Sequence, residues 1–303
     1  MGATVRRRPR YGTLVEWAIC WDDKEKIMST FDAEQFRQAM RQLPALPKSQ
    51  PPHWDHWQGV LRDWILDENN DPADFFRCPA VYHTMLVNHW VEAIQYEFAQ
   101  LPHEMRIQTF MPELGHDYMD KVRSRNLVHQ LYHLHRWQEV TGKKVKDLDE
   151  IVEFGGGYGA MCLVARRLGF DGRYIIFDLP EFTLLQRFFL SNVNWWNIEV
   201  IPKVHDKPTE FYDNIDDLWN NIYEPDLLIA CYSLSETPLD FRQIFLDNMT
   251  VDNYLFLFSN RFADYDNLTF FRRFADKRDD LKWTFEKIEH LPPESWYAFG
   301  NKA

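Results

Sequence analysis

The sequence predicts an α/β fold: a doubly wound, mostly parallel sheet of seven strands with its last strand antiparallel, preceded by an all-helical N-terminal domain. Three observations lead there. Apolar residues recur every three to four positions up to about residue 145, and β-branched runs are scarce there. From residue 150, short apolar runs alternate with helix-length segments, as a sheet wound on both faces requires. The last two apolar runs are joined only by Glu289 to Ser295, too short for a parallel crossover and suited to an antiparallel hairpin. These features divide the chain into residues 1–145, helical, and 146–303, built on the sheet.

In the first half, Ser29 to Asp32 reads as a capping box opening a helix over Ala33 to Leu43, which Pro44 and Pro47 stop. Further helices are predicted over His53 to Leu66, Ala80 to Gln100 and Asp117 to Thr141, the last closed by Gly142. The proline-rich stretch Leu43 to Pro52 is the candidate linker. In the second half the predicted strands are Ile151 to Phe154, Tyr174 to Phe177, Ile198 to Ile201, Leu227 to Tyr232, Tyr254 to Phe258, Trp283 to Ile288 and Trp296 to Phe299.

Composition narrows the function. With 34 Lys and Arg against 46 Asp and Glu the net charge is −12, which repels a phosphate backbone, so a small-molecule partner fits better than nucleic acid. No apolar run approaches the ~20 residues of a membrane span, and Arg6 to Arg10 is not followed by a signal-like apolar segment, so a soluble, cytoplasmic chain is expected. Position 6 is Arg6, where a myristoylation motif needs Ser or Thr. Cys20, Cys78, Cys162 and Cys231 are too scattered for a disulfide framework or a zinc site. Seven of the 12 tryptophans precede residue 145, as core, ligand platform or a surface that leaves room for a homodimer.

The chemistry concentrates in Glu153-Phe154-Gly155-Gly156-Gly157-Tyr158-Gly159-Ala160, which follows the first predicted strand and opens a helix. Glycines there let the turn tighten and the backbone approach a ligand. Nineteen residues after Gly159, at the end of the next strand, Asp178 is placed to accept ribose hydroxyls. Gly155, Gly157 and Ala160 also satisfy a dinucleotide fingerprint. Glu153 separates the two readings, because a carboxylate two residues before the first glycine repels a diphosphate and tolerates a cationic sulfonium ligand bearing an ammonium group.

The run Val152 to Gly159 with Phe177-Asp178-Leu179-Pro180 resembles class I S-adenosylmethionine-dependent methyltransferases, which are Rossmann-like, and especially small-molecule O-methyltransferases. Carried on through Gln186 and Leu190, and through Ser233-Leu234-Ser235-Glu236 after the fourth strand, it is similar to bacterial-type sugar O-methyltransferases over residues 150 to about 260. The first half shares only its helical character and a Tyr132-His133 pair. The resemblance implies S-adenosyl-L-methionine as cofactor, held by Glu153, Gly155, Gly157, Tyr158, Gly159, Asp178 and Leu179, and a sugar or glycoside acceptor. The alternatives are an N- or O-methyltransferase of another small metabolite and a catalytically silent cofactor-binding module.

An aliphatic hydroxyl acceptor needs a base, and the candidates are Glu236 after the fourth strand and His205 after the third, with His133 and Tyr132 from the preceding helix and Arg261 after the fifth strand as substrate contacts. Arg125, His129, Tyr132 and Arg136 share one helical face, which either meets the cofactor carboxylate through Arg125 or packs as an ordinary polar face. His129 and His133 have metal-ligand spacing without the partners a zinc helix needs, and Asp213, Asp216 and Asp217 read as a solvated helix start, so no metal is expected.

Overall fold

The computed structural model describes residues 31–46, 53–87, 90–109, 118–193, 209–222, 225–291 and 294–302. The first helix, α1 (Ala33–Gln42), opens on a capping box one turn later than predicted: Asp32 accepts from the Gln35 backbone N–H at 2.8 Å, and the Gln35 side chain accepts from Asp32 N–H at 2.9 Å. Helix α2 (His53–Leu66) has the predicted bounds. The single helix expected over Ala80 to Gln100 is two, α3 (Pro79–Thr84) and α4 (Val91–Gln100). Apolar spacing runs through both, and no proline or glycine marks the break. After the short α5 (His103–Arg106), α6 (Tyr118–Thr141) runs to Gly142, whose φ of +70° and N–H to the Gln138 carbonyl finish it.

The sheet strands are β1 (Glu150–Phe154), β2 (Arg173–Phe177), β3 (Thr209–Tyr212), β4 (Leu227–Cys231), β5 (Asn253–Ser259), β8 (Lys282–Ile288) and β9 (Ser295–Asn301). Between β5 and β8, a two-residue ribbon pairs β6 (Arg261–Phe262) with β7 (Tyr265–Asp266). The order across the sheet is β3-β2-β1-β4-β5-β9-β8. Neighbours from β3 to β5 are parallel, while β9 is antiparallel to both β5 and β8. The last strand is therefore the antiparallel one, as predicted, and it lies inside the sheet with β8 at the edge. The third strand departs from expectation: it is Thr209–Tyr212, whereas Ile198 to Ile201 lies outside the described residues. All four of its residues are only partly buried, so an apolar-run criterion passes over it.

Helices cover both faces. Leu218 of α9 (Ile215–Asn221), Phe245 and Leu246 of α10 (Leu239–Asn248) and Phe271 and Phe274 of α11 (Asn267–Lys277) join Val152, Ile175, Leu228 and Phe256 in one core. On the other face α7 (Ala160–Arg167) and α8 (Pro180–Asn192) share a core with the N-terminal helices. Phe36 of α1 stacks on Phe188 of α8 at 4.8 Å, and Trp137 of α6 is fully buried. The described residues thus form one compact unit. Among the described residues no helix is long and apolar enough to cross a membrane.

Candidate active site

The order of winding reverses at β1, which is followed by β2 on one side and flanked by β4 on the other. Such a reversal opens a crevice beyond the carboxyl ends of the two strands, where ligands of open α/β sheets bind. The glycine turn leaves β1 there. Gly155 has φ +71°, and a Cβ on it would collide with the side chain of Ser233, in the turn after β4. Gly157 and Gly159 also have positive φ, +59° and +99°. Ser233 in turn donates its hydroxyl to the Phe154 carbonyl at the end of β1, tying the two strand ends together.

Two carboxylates serve this turn. Asp178, at the end of β2, accepts from Leu179 N–H at 2.8 Å and from the Gln186 amide at 2.6 Å, and the Gly156 and Gly157 N–H groups also stabilise it. Burial nevertheless pushes its pKa up to about 7. Glu153 lies beneath the turn, 3.3 Å from where a Cβ on Gly156 would be, and accepts from Tyr174 hydroxyl at 2.8 Å. Burial, opposed by that hydrogen bond and reinforced by the charge of Asp178, pushes it up to about 8. Among the described residues neither forms an ion pair. Two desolvated acids with pKa values near neutrality are driven to ionise by a positively charged ligand and held protonated by a diphosphate, so the site favours the former.

The base candidate Glu236 ends the helical turn Ser233–Glu236 that follows β4. Burial pushes its pKa up to about 7, against a hydrogen bond with Trp54 of α2. Tyr232, which enters this turn, has φ +63° and ψ −40°, a conformation costly for a residue with a Cβ. Its backbone N–H is fixed on the Leu257 carbonyl and its hydroxyl bonds Ser295 Oγ at 2.9 Å. Arg242 of α10, fully buried, donates at 2.8 Å to the Ser235 and Thr237 carbonyls and to Asn267 Oδ1, with its guanidinium 4.7 Å from the Phe270 ring. The N-terminal half supplies the opposite wall. Met85 lies 3.7 Å from where a Gly157 Cβ would be, Trp54 meets Phe182 edge-on at 5.8 Å, and Gln58 and Arg62 of α2 both bond the buried Glu181 of α8.

Other predicted residues fall elsewhere. Tyr158 buries its ring against Phe76 and Phe189, its hydroxyl accepting from Asn126 of α6 at 2.8 Å, so only its backbone belongs to the turn. Arg125 is half-buried on α6 beside Asn126, and Arg261 is exposed on the β6–β7 ribbon. The helical face that includes His129, Tyr132 and Arg136 packs on α4 and the β8–β9 edge. His129 bonds Glu97 at 2.9 Å, and Arg136 bonds Glu286 of β8 at 2.7 Å. His133 is fully enclosed, with Nδ1 2.6 Å from the Tyr297 hydroxyl and Nε2 unpartnered. His205, like the strand predicted over Ile198 to Ile201 before it, lies outside the described residues, which resume at Thr209 with β3. Asp216 and Asp217 occupy the first turn of α9, capped by Asn214, and among the described residues no group of three or more His, Cys, Asp or Glu is arranged for a metal ion. Sequence reasoning missed Trp54, Arg242 and the strained Tyr232; an arginine inside an apolar helix pattern was the one available signal, and it did not reveal what the arginine holds.

No protein-family model and no curated protein matches the chain. Solved structures similar to it include magnesium protoporphyrin IX methyltransferase from Synechocystis PCC 6803 with bound SAM, at 12% identity and TM-score 0.45, covering 85% of this chain and 100% of that one. The methyltransferase domain of bacterial CtHen1-C is similar at 13% identity and TM-score 0.43, covering 59% and 99%. SAH-bound Podospora anserina methyltransferase PaMTH1 is similar at 12% identity and TM-score 0.42, covering 70% and 94%.

Proposed function

We propose that this chain is an S-adenosylmethionine-dependent methyltransferase acting on a small molecule, with a hydroxyl of a sugar or glycoside as its acceptor. The observation that carries this reading is the pair of desolvated carboxylates, Glu153 and Asp178, without an ion-pair partner among the described residues, at a glycine turn on the topological switch point. When bound, the cofactor supplies an electrophilic methyl group on a sulfonium. Glu153 and Asp178, raised to about 8 and about 7, are poised to give up their protons when a cation binds beside them, which favours the sulfonium, and Asp178 offers its oxygens to the ribose. The open backbone at Gly155 to Gly159 lets the ligand approach. Glu236, raised to about 7, holds a pKa matched to taking a hydroxyl proton near neutrality. Arg242 and Tyr232 keep its turn in place, and Trp54 and Met85 exclude water from one side of the crevice. The same apolar wall suits a planar phenol or amine, which supports the second reading, a methyltransferase of another small metabolite.

The test is binding followed by product analysis. S-adenosylmethionine is expected to bind by calorimetry and NAD not to; the reverse would remove the reading. Incubation with labelled cofactor and a panel of nucleotide sugars, glycosides, phenols and amines, read by mass spectrometry, is expected to add one methyl to a sugar. Glu236→Gln is expected to lower kcat by about 100- to 10,000-fold with cofactor affinity intact. Full activity in Glu236→Gln together with loss in His205→Asn would move the base to His205.

A further inference from the structure

Outside the crevice, a cavity of about 340 Å³ opens between α4, α6 and the β8–β9 edge of the sheet. We infer that this cavity is a binding site for a neutral saccharide, separate from the site of methyl transfer. Its size falls in the range of small-molecule pockets. One side is aromatic: Tyr96, about half exposed, lies 4.6 Å ring to ring from His290, which meets Tyr132 edge-on at 5.6 Å. A half-exposed aromatic face such as that of Tyr96 suits the C–H face of a sugar ring, whose apolar area it covers without requiring charge.

The polar side excludes the charged alternatives. Arg136 is held between Glu139 at 2.5 Å and Glu286 at 2.7 Å, and Lys287 lies 3.5 Å from Glu289, so each cation on the wall already has an anion. A phosphate or carboxylate ligand would have to displace Glu139 and Glu286 from Arg136, and an ammonium ligand would have to displace Arg136 and Lys287 from the Glu139, Glu286 and Glu289 carboxylates they already pair with. A ligand rich in hydroxyls needs neither, since hydroxyls donate to carboxylates and accept from a guanidinium at once. The cavity shares no lining residue with the glycine turn. Tyr297 lines it, and behind that ring its hydroxyl is engaged by the enclosed His133.

This inference does not depend on methyl transfer, because binding can be measured without a methyl donor. Wild-type protein is titrated by calorimetry and saturation-transfer NMR with D-glucose, D-galactose, D-mannose and maltose, and with glucose 6-phosphate and choline for comparison. At least one neutral saccharide is expected to saturate the protein, more tightly than either charged compound. Tyr96→Ala, on an exposed ring whose loss leaves the core untouched, is expected to weaken that saccharide at least tenfold, and Tyr132→Phe, which removes only a hydroxyl, several-fold. Asp178→Ala is expected to leave it unchanged. Absence of saturable binding by every neutral saccharide, tighter binding of glucose 6-phosphate or choline, or binding that survives Tyr96→Ala and Tyr132→Phe but disappears in Asp178→Ala would overturn the assignment.

Discussion

At the scale of single residues, the decisive feature is two desolvated acids that have no cation partner among the described residues. If Asp178 accepts the ribose hydroxyls as proposed, Asp178→Ala loses a charged hydrogen bond, at a cost of about 1.5–3 kcal/mol, or roughly 10- to 150-fold in cofactor affinity. Unchanged affinity by calorimetry would separate Asp178 from the ligand. Glu153 makes a subtler prediction. Its folded pKa of about 8 lies above that of an unfolded glutamate, so the folded state binds the extra proton and this contribution to stability fades as pH rises from about 4.5 to 8. Glu153→Gln should therefore melt progressively higher relative to wild type across that range, while binding the cationic cofactor more weakly; parallel melting curves at every pH would show that Glu153 is not desolvated. Asp178 and the glycines were legible in the sequence because each occupies a fixed offset from a strand. The opposition of Glu153 to a diphosphate was legible only as a sign of charge, since its burial and its bond to Tyr174 depend on a neighbouring strand 21 residues away.

At the scale of elements, the turn after β4 shows how position is maintained. Three carbonyl or amide oxygens converge on Arg242, so the helix after the turn reaches back and fixes the segment that bears Glu236. Arg242→Lys keeps the charge and loses the planar fork. It should leave at least one buried oxygen unsatisfied, costing about 1–3 kcal/mol of stability, and lower kcat while cofactor affinity stays near wild type. An unchanged kcat in a folded Arg242→Lys protein would mean that Glu236 is positioned by something else. Most central elements could be read in advance, because β1, β2, β4 and β5 are apolar runs buried on both faces. β3 could not, since it is a half-buried edge strand of Thr, Glu, Phe and Tyr. The break between α3 and α4 was equally silent in composition, and it is there that Met85 reaches the glycine turn.

At the scale of the whole molecule, the helical half and the sheet meet in a polar seam where α4, α6 and β9 come together. Glu97, fully buried, accepts from His129 and from His290 at 3.0 Å or less. Burial alone would raise its pKa, but the charge and hydrogen bonds of the two histidines outweigh that and hold it at about 2. His133, facing His129, Glu97, His290 and Tyr297, is driven well below 6.5, first by burial and then by the charge of His129. A histidine whose folded pKa is depressed stabilises the fold above its unfolded pKa of about 6.5 and loses that contribution as pH falls below it; Glu97 adds a second loss only below about 4.5. The net charge of −12 works the other way, since protonation at acid pH relieves repulsion across the chain. Comparing a variant with wild type cancels that background. His133→Gln keeps a polar partner for the Tyr297 hydroxyl and removes the titrating ring, so its stability in urea should fall less steeply than wild type between pH 6.5 and 4.5. The difference should keep growing as pH falls further, until His133 protonates in the folded state, while the loss from Glu97 is common to both proteins. Equal slopes between pH 6.5 and 4.5 would show that His133 is not held neutral by the packing of the helices on the sheet, and that the seam is open to water.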